Sequence, residues 1–127
     1  MSYEGSIDLI GGLRPKNNGN FKLVNMKDVY QPVETALPTG TGSTLQTGVM
    51  YFLKTPSAVI FGLPEDAEVG EMVYVSFQTS ADTIPLFQIN TDNHTDVDIT
   101  PEANKVYEIM GVYNGSTWVM VTHEVSA

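Results

Sequence analysis

The stretch KVYEIMGVYNGSTWVMVTHEV, residues 105–125, carries the strongest structural signal in the chain. Two runs rich in β-branched and aromatic residues flank Asn114-Gly115, a dipeptide that suits a two-residue type I′ turn because both central positions need positive φ. The pattern predicts an antiparallel hairpin in which Gly111 lies opposite Trp118. An aromatic ring that covers a strand glycine is a stabilising arrangement in sheets.

Both faces of this predicted hairpin are apolar, because successive side chains of a strand point to opposite sides. One face carries Tyr107, Ile109, Tyr113, Trp118 and Met120. A sheet that is apolar on both sides is normally covered on both. One face can enter a domain core, whereas the other needs a second sheet, the N-terminal segment or another subunit. The residues predicted to form this second face, and therefore a subunit contact, are Val106, Met110, Val112, Val119 and Val121.

Similar runs recur upstream at short intervals, and turn formers separate them. They are residues 49–53, 57–63, 72–78, 84–90 and 97–100. Several short strands with this punctuation, and no 3.6-residue apolar period, predict an all-β domain with little or no helix. We therefore expect a small antiparallel β-sandwich or barrel-like domain over residues 49–127.

Composition excludes several classes of protein. The chain has 127 residues and no cysteine, so it has neither a disulfide framework nor a thiolate metal site nor a cysteine nucleophile. The net charge is −9, and all of it lies in residues 35–127, where eleven acidic residues face only Lys54 and Lys105. An acidic body disfavours nucleic acid and anionic membranes as partners. The N-terminus also lacks the pattern of a secretory signal.

No catalytic or cofactor-binding motif is present. The two histidines are His94 and His123, and no hydrolase elbow, zinc-protease motif or phosphate-binding loop accompanies them. His123 and Glu124 are adjacent in a predicted strand and would point to opposite faces. The sequence therefore predicts neither an enzyme nor a cofactor.

Two binding sites remain open as alternatives. Asp92, Asp96 and Asp98 lie close together and could offer calcium the oxygen ligands that it needs, but the spacing is not that of an EF-hand. A solvent-facing strand edge is the favoured explanation of these residues. A set of aromatic residues could instead form a stacking platform for a sugar, or they could belong to the core. These residues are Tyr51, Tyr74, Tyr107, Tyr113 and Trp118.

The opening of the chain differs in character from the rest. Residues 11–21, GGLRPKNNGNF, combine turn formers with flanking apolar residues. Ordering such a segment costs roughly 1–2 kcal/mol per residue of backbone, and this cost is offset when apolar side chains enter pockets on a partner, for example by strand addition. We expect an anchoring arm over residues 1–34 and a Thr/Gly/Ser-rich linker over 35–48. The alternative is that the arm packs on the chain's own β domain.

Residues 5–30 resemble an N-terminal segment of head fibre and related capsid-attached fibre proteins of tailed bacteriophages. The resemblance rests on the core formed by Leu13, Pro15, Asn17, Asn18, Gly19 and Phe21, followed by Leu23, Val24, Lys27, Asp28 and Val29. It implies a non-enzymatic virion component, commonly a homotrimer, that is synthesised in the host cytoplasm. The chain departs from the family in that no coiled-coil shaft follows the motif.

In such fibres the N-terminal segment docks on the capsid or on another virion protein, and the C-terminal β domain projects outward. The resemblance therefore implies an anchoring role for the apolar and turn-forming residues of the arm. These are Ile7, Leu9, Leu13, Pro15, Asn18, Gly19 and Phe21. The alternative function is a small β-sandwich carbohydrate-binding or host-adhesion module, whose partner would be a host-surface glycan.

Overall fold

A computed structural model describes residues 32–39 and 43–127, and all regular secondary structure in these residues is β. The strands are β1 (Val33–Glu34), β2 (Met50–Lys54), β3 (Ala58–Phe61), β4 (Met72–Gln78), β5 (Leu86–Ile89), β6 (Lys105–Tyr113) and β7 (Trp118–Ser126). The predicted all-β class is confirmed for this part of the chain. The seven predicted anchoring residues and the rest of residues 1–31 lie outside the described residues.

The strands form two sheets. The larger has the order β1-β2-β4-β6-β7, and the smaller pairs β3 with β5. Between β1 and β5 the chain alternates between the two sheets, so that β1, β2 and β4 are parallel neighbours, as are β3 and β5. Thr44 adds a further parallel bridge, to Gly62 beside β3. From β2 to β5, the chain thus passes to the opposite sheet after each strand.

The expected antiparallel pairing therefore holds only for β4-β6-β7, and the larger sheet is mixed. Parallel neighbours need a crossover connection, and here the opposite sheet provides it in place of a helix. From β2 to β5, consecutive strands thus lie in opposite sheets instead of pairing side by side. The larger sheet ends at β1 and β7, so the arrangement is an open two-sheet packing and not a closed barrel.

The β6–β7 hairpin forms, but its turn differs from the predicted two-residue turn. Tyr113 pairs with Trp118, which leaves a four-residue loop between them. The Asn114 side-chain Oδ1 accepts hydrogen bonds from the backbone N–H groups of Ser116 (2.9 Å) and Thr117 (2.8 Å). Only Gly115 in the loop has a positive φ, +97°. The Asn side chain closes the loop, so Asn114 does not need the left-handed conformation of a type I′ turn.

The new register moves each β7 partner by two residues and so leaves the predicted faces unchanged, because only an odd shift exchanges them. Gly111 lies directly opposite Met120 instead of Trp118. A Cβ atom at Gly111 would lie 2.7 Å from Met120 Sδ and 3.3 Å from Trp118 Cε3. The lack of a side chain at this position is therefore what lets both large residues reach the core.

The core lies between the two sheets. It consists of Leu45, Val49, Tyr51, Leu53, Val59, Phe61, Leu63, Val73, Val75, Phe77, Tyr107, Ile109, Trp118 and Met120. Phe77 stacks on Tyr107 within the larger sheet, with ring centroids 5.0 Å apart. It also stacks on Phe87 of β5 at 6.1 Å. These aromatic contacts connect the two sheets through one continuous apolar layer.

The β domain includes residues that composition assigns to a linker. Leu45 is 2 % exposed and belongs to the core. Its N–H donates to the Gly62 carbonyl (3.0 Å), and the Gly62 N–H donates to the Ser43 carbonyl (2.8 Å). Residues 43–48 are thus part of the domain, because a single leucine and two backbone hydrogen bonds hold them against β3. The predicted boundary at residue 49 is too late.

The predicted strand over 97–100 does not form. Residues 97–100 have no regular secondary structure, although Val97 and Ile99 pack against the core. The nearest pairing is a single parallel bridge between His94 and Trp118. The alternation of apolar and acidic residues therefore reflects packing of one side of the segment against the core, and not membership of a sheet.

Candidate functional site

The most distinctive surface is the side of the larger sheet that faces away from the core, which we call the outer face. Strand alternation and the pairing register define its members. They are Val33 of β1, Met50, Phe52 and Lys54 of β2, Met72, Tyr74, Ser76 and Gln78 of β4, Val106, Glu108, Met110 and Val112 of β6, and Val119, Val121, His123 and Val125 of β7.

Apolar side chains dominate this face. Two neighbouring rows run across the strands, Met72–Val112–Val119 and Met50–Tyr74–Met110–Val121. Seven apolar side chains of the face are at least 37 % exposed, and no described residue packs over them. Soluble monomers rarely expose large contiguous apolar patches, which usually mark interaction sites.

All five residues predicted to form a subunit contact lie on the outer face. Met110, Val119 and Val121 are exposed, whereas Val106 and Val112 are half-buried. Their role in a subunit contact stays a prediction. Sequence reasoning missed the contributions of β2 and β4, because only the pairing register places Met72 and Tyr74 beside the hairpin and Phe52 one strand further away.

A polar cluster crosses the apolar face. The Tyr74 hydroxyl donates a hydrogen bond to Glu108 Oε2 (2.6 Å), and His123 Nδ1 lies 3.3 Å from Glu108 Oε1. Burial, together with the bond to Glu108 and its charge, raises the pKa of Tyr74 to about 12. The Tyr74 hydrogen bond, followed by that of His123, lowers the pKa of the Glu108 carboxyl.

This cluster suits a binding surface better than a catalytic site. A phenol with a raised pKa stays protonated at neutral pH, and a carboxylate with a lowered pKa stays ionised, so neither group is poised to exchange protons. Both Glu108 oxygens already have partners within the sheet. A partner surface could therefore cover the carboxylate without leaving it unpaired, which is the main cost of burying a charge.

The outer face also contains a recess of about 260 Å³. It opens over Ser76, the smallest side chain of the face, and its rim is formed by Phe52, Lys54, Gln78 and Val106. Phe52 leans on Tyr74 beside it, with ring centroids 5.6 Å apart. The face is therefore not flat, and it offers a depression that a side chain of a partner could enter.

The proposed sugar platform does not form from the five predicted aromatics. Tyr51, Tyr107 and Trp118 are buried, and each uses its polar atom to hold a loop. The Tyr51 and Tyr107 hydroxyls accept hydrogen bonds from the N–H groups of Gln46 (3.1 Å) and Glu102 (2.8 Å). Core packing and loop anchoring account for these aromatics, so stacking on a ligand is not available to them.

The acidic segment does not assemble a metal site in the part of the chain that the structure describes. No group of three or more His, Asp or Glu residues in that part could hold a metal ion, so Asp92, Asp96 and Asp98 do not converge. His94 Nδ1 lies 2.6 Å from the Thr95 carbonyl. Within the same residues, no helix is long and apolar enough to cross a membrane.

Comparison with known proteins gives no further guidance. No family model, curated protein or solved structure matches the chain significantly. Functional inference therefore rests on the outer face and on the resemblance of residues 5–30.

Replacement of Tyr74 with phenylalanine is expected to raise the pKa of Glu108, because the carboxylate loses its shortest hydrogen bond. A hydrogen bond that depresses a carboxyl pKa contributes stability above the unfolded carboxyl's pKa, and this contribution is lost as the pH falls through the folded value. Tyr74→Phe should thus reduce stability at neutral pH more than at acid pH. Carboxyl ¹³C NMR titration measures the shift directly, with Tyr113→Phe as control. An unchanged Glu108 pKa would contradict the expectation.

Proposed function

We propose that the protein is a non-enzymatic structural component of a phage virion, a head fibre or capsid decoration protein. In this proposal the residues before β1 anchor the chain on the capsid or on another virion protein. The β domain projects outward and associates with other copies of itself through the outer face. The observation that carries the proposal is the exposed, largely apolar outer face.

The distribution of charge supports self-association through this face. Of the eleven acidic residues in positions 35–127, only Glu108 lies on the outer face. Protein interfaces are depleted of charge at their centre and enriched in aromatic residues and methionine. The outer face carries Phe52, Tyr74 and three methionines, and its other charged side chain, Lys54, lies at the end of β2.

Burial of the exposed apolar side chains provides the driving force. Each Å² of apolar surface removed from water contributes about 25 cal/mol, and the ordering cost is small because the side chains already stand on a sheet. The acidic remainder of the domain keeps the assembly soluble through net repulsion. The resemblance implies three copies. Three outer faces turned toward a common axis would bring Met110, which lies between Tyr74 and Val121, into the contact.

Met110→Glu is expected to convert the assembled protein into folded monomers, because it places an unpaired carboxylate in the centre of the contact. Sedimentation velocity over a range of protein concentrations measures the effect, and a weakening of association by roughly 100-fold is expected. Val69→Glu adds the same charge at an exposed valine outside the outer face and should leave assembly unchanged. A monomeric wild-type protein, or a Met110→Glu protein that assembles normally, would overturn the proposal.

A further inference from the structure

We infer that the outer edge of β7 is a second self-association site, at which β7 of one copy pairs in antiparallel orientation with β7 of a second copy. The edge in question spans residues 121–125. It differs from the outer face in that backbone groups, and not side chains, form the contact. The inference stands on the hydrogen-bonding pattern of the hairpin and goes beyond the proposed function.

The backbone alternation of β7 identifies which groups point away from β6. The Trp118 N–H and carbonyl bond to Asn93 and Thr95 on the far side of the strand, and the Ala127 N–H bonds to Asn104 on the near side. In an antiparallel pair these directions alternate. The even-numbered residues of β7 therefore turn their N–H and C=O groups outward, and the odd-numbered residues bond to β6.

This outward edge has a partner only at its beginning. The Met120 N–H donates to Thr95 Oγ1 (2.8 Å). Beyond that point no described residue pairs with the outward edge of β7, so the outward backbone groups of Thr122 and Glu124 have no partner among the described residues. An exposed row of unpaired donors and acceptors is a template for strand addition.

Residues 121–125 lack most of the devices that block such an edge, and Glu124 is their one carboxylate. The segment contains no proline, glycine or lysine. Val121 and Val125 are 56 % and 44 % exposed on the outer face, and Lys105 Nζ holds the Glu124 carboxylate at 3.1 Å on the opposite face. The edge is therefore long enough to pair with a short added strand. The exposed side chains of residues 121–125 leave room for the side chains of that strand on both faces of the sheet.

The sequence of β7 favours a second copy of itself as that strand. In an antiparallel pair of two β7 edges, residues with outward backbone groups must lie opposite each other. These residues are all even-numbered, so the two-fold axis that relates the copies passes beside one residue and not between two. A centre at His123 places Val121 opposite Val125 and Thr122 opposite Glu124. A centre at Glu124 would place two like charges opposite each other, which is destabilising. A centre at Thr122 would require Met120, whose N–H is already bonded to Thr95.

The His123-centred pair would form about four backbone hydrogen bonds, from the N–H and C=O groups of Thr122 and Glu124 in both copies. It would also join the two outer faces into one longer sheet surface. Pairing of β7 edges joins two copies within the plane of the sheet, whereas packing through the outer face joins copies perpendicular to that plane. The two contacts are compatible, and the edge can link copies that already meet other copies through the outer face.

The absence of cysteine in the chain permits a sharp test by disulfide formation. Opposed residues in a non-hydrogen-bonded antiparallel pair have Cα atoms about 4.5 Å apart, which is within the range of disulfides, about 4.4–6.8 Å. His123→Cys should therefore give a covalent dimer under oxidised glutathione faster than Val121→Cys or Val125→Cys alone, because only residue 123 lies opposite itself in this register. The double variant Val121→Cys/Val125→Cys should cross-link as fast as His123→Cys, because its cysteines oppose each other between copies.

A second substitution tests the backbone contribution. Thr122→Pro in the His123→Cys background removes an outward N–H without breaking a hydrogen bond to β6, a position that tolerates proline. It should reduce cross-linking to the rate of Val121→Cys. Equal rates for all single cysteine variants, or an unchanged rate with Thr122→Pro, would overturn the inference. Circular dichroism confirms that each variant is folded.

The result separates this inference from the proposed function. Met110→Glu disrupts the outer face but leaves the edge of β7 intact, so cross-linking through His123→Cys should persist in that background. Rapid cross-linking without assembly through the outer face supports the edge contact alone. Assembly sensitive to Met110→Glu without register-specific cross-linking supports the outer face alone.

Discussion

Replacement of Trp118 with alanine is expected to lower the free energy of unfolding by about 3–5 kcal/mol, the usual cost of deleting a large buried aromatic side chain. The side chain is 1 % exposed, and its ring lies 5.5 Å from that of Tyr113. Its indole N–H donates to the Pro64 carbonyl (3.0 Å), which ties the hairpin to the chain between β3 and β4. Alanine at this position removes the packing and the hydrogen bond together.

Trp118→Phe separates these two contributions. It keeps an aromatic ring but leaves the Pro64 carbonyl without its donor, so a smaller loss of about 1–3 kcal/mol is expected. Urea denaturation followed by circular dichroism gives both values under identical conditions. A loss below about 1 kcal/mol for Trp118→Ala would mean that the hairpin does not depend on this residue for its attachment to the core.

Thr79→Val is expected to lower the free energy of unfolding by about 2–4 kcal/mol, although it preserves the size of the side chain. Thr79 is 2 % exposed. Its hydroxyl donates to the Glu102 carbonyl (2.6 Å) and accepts from the Lys105 N–H (2.9 Å). Valine would leave both backbone groups without this partner at the turn that leads into β6.

Thr79→Ser is the matched control, because it keeps the hydroxyl and loses only a methyl group, with an expected cost of about 1 kcal/mol. The comparison by urea denaturation therefore isolates the hydrogen bonds from the packing. If serine were more harmful than valine, packing of the methyl group and not hydrogen bonding would be the main contribution of this residue.

Local sequence patterns predicted the hairpin and its two faces correctly, and the reason is geometric. Successive side chains of a strand point to opposite faces because of the backbone geometry alone. The residues that share a face with Ile109 and those that share a face with Met110 are therefore separated, whichever strands pair with the hairpin. The predicted two-residue turn, in contrast, was wrong. Asn-Gly is compatible with several loops, and the Asn114 side chain selected the longer one by binding the N–H groups of Ser116 and Thr117.

The outer face was only half predictable. The residues of β6 and β7 were identified because they are adjacent in the chain. The contribution of β2 and β4, and the cluster of Tyr74, Glu108 and His123, depends on which strands become neighbours. Residues 34 positions apart, such as Tyr74 and Glu108, meet only through the β4–β6 register. No local signal in the sequence specifies that register.

The sequence by itself determined that the domain is built from strands and that its C-terminal hairpin has two apolar faces. Both follow from side-chain preference and from the two-residue period of the extended chain. The tertiary structure decided the rest: the alternation of the chain between the two sheets, the inclusion of Leu45 in the core, and the strands that lie beside the hairpin. These features depend on contacts between residues distant in sequence, which no local pattern specifies, and they place Met50, Tyr74 and Met110 in one row of the outer face.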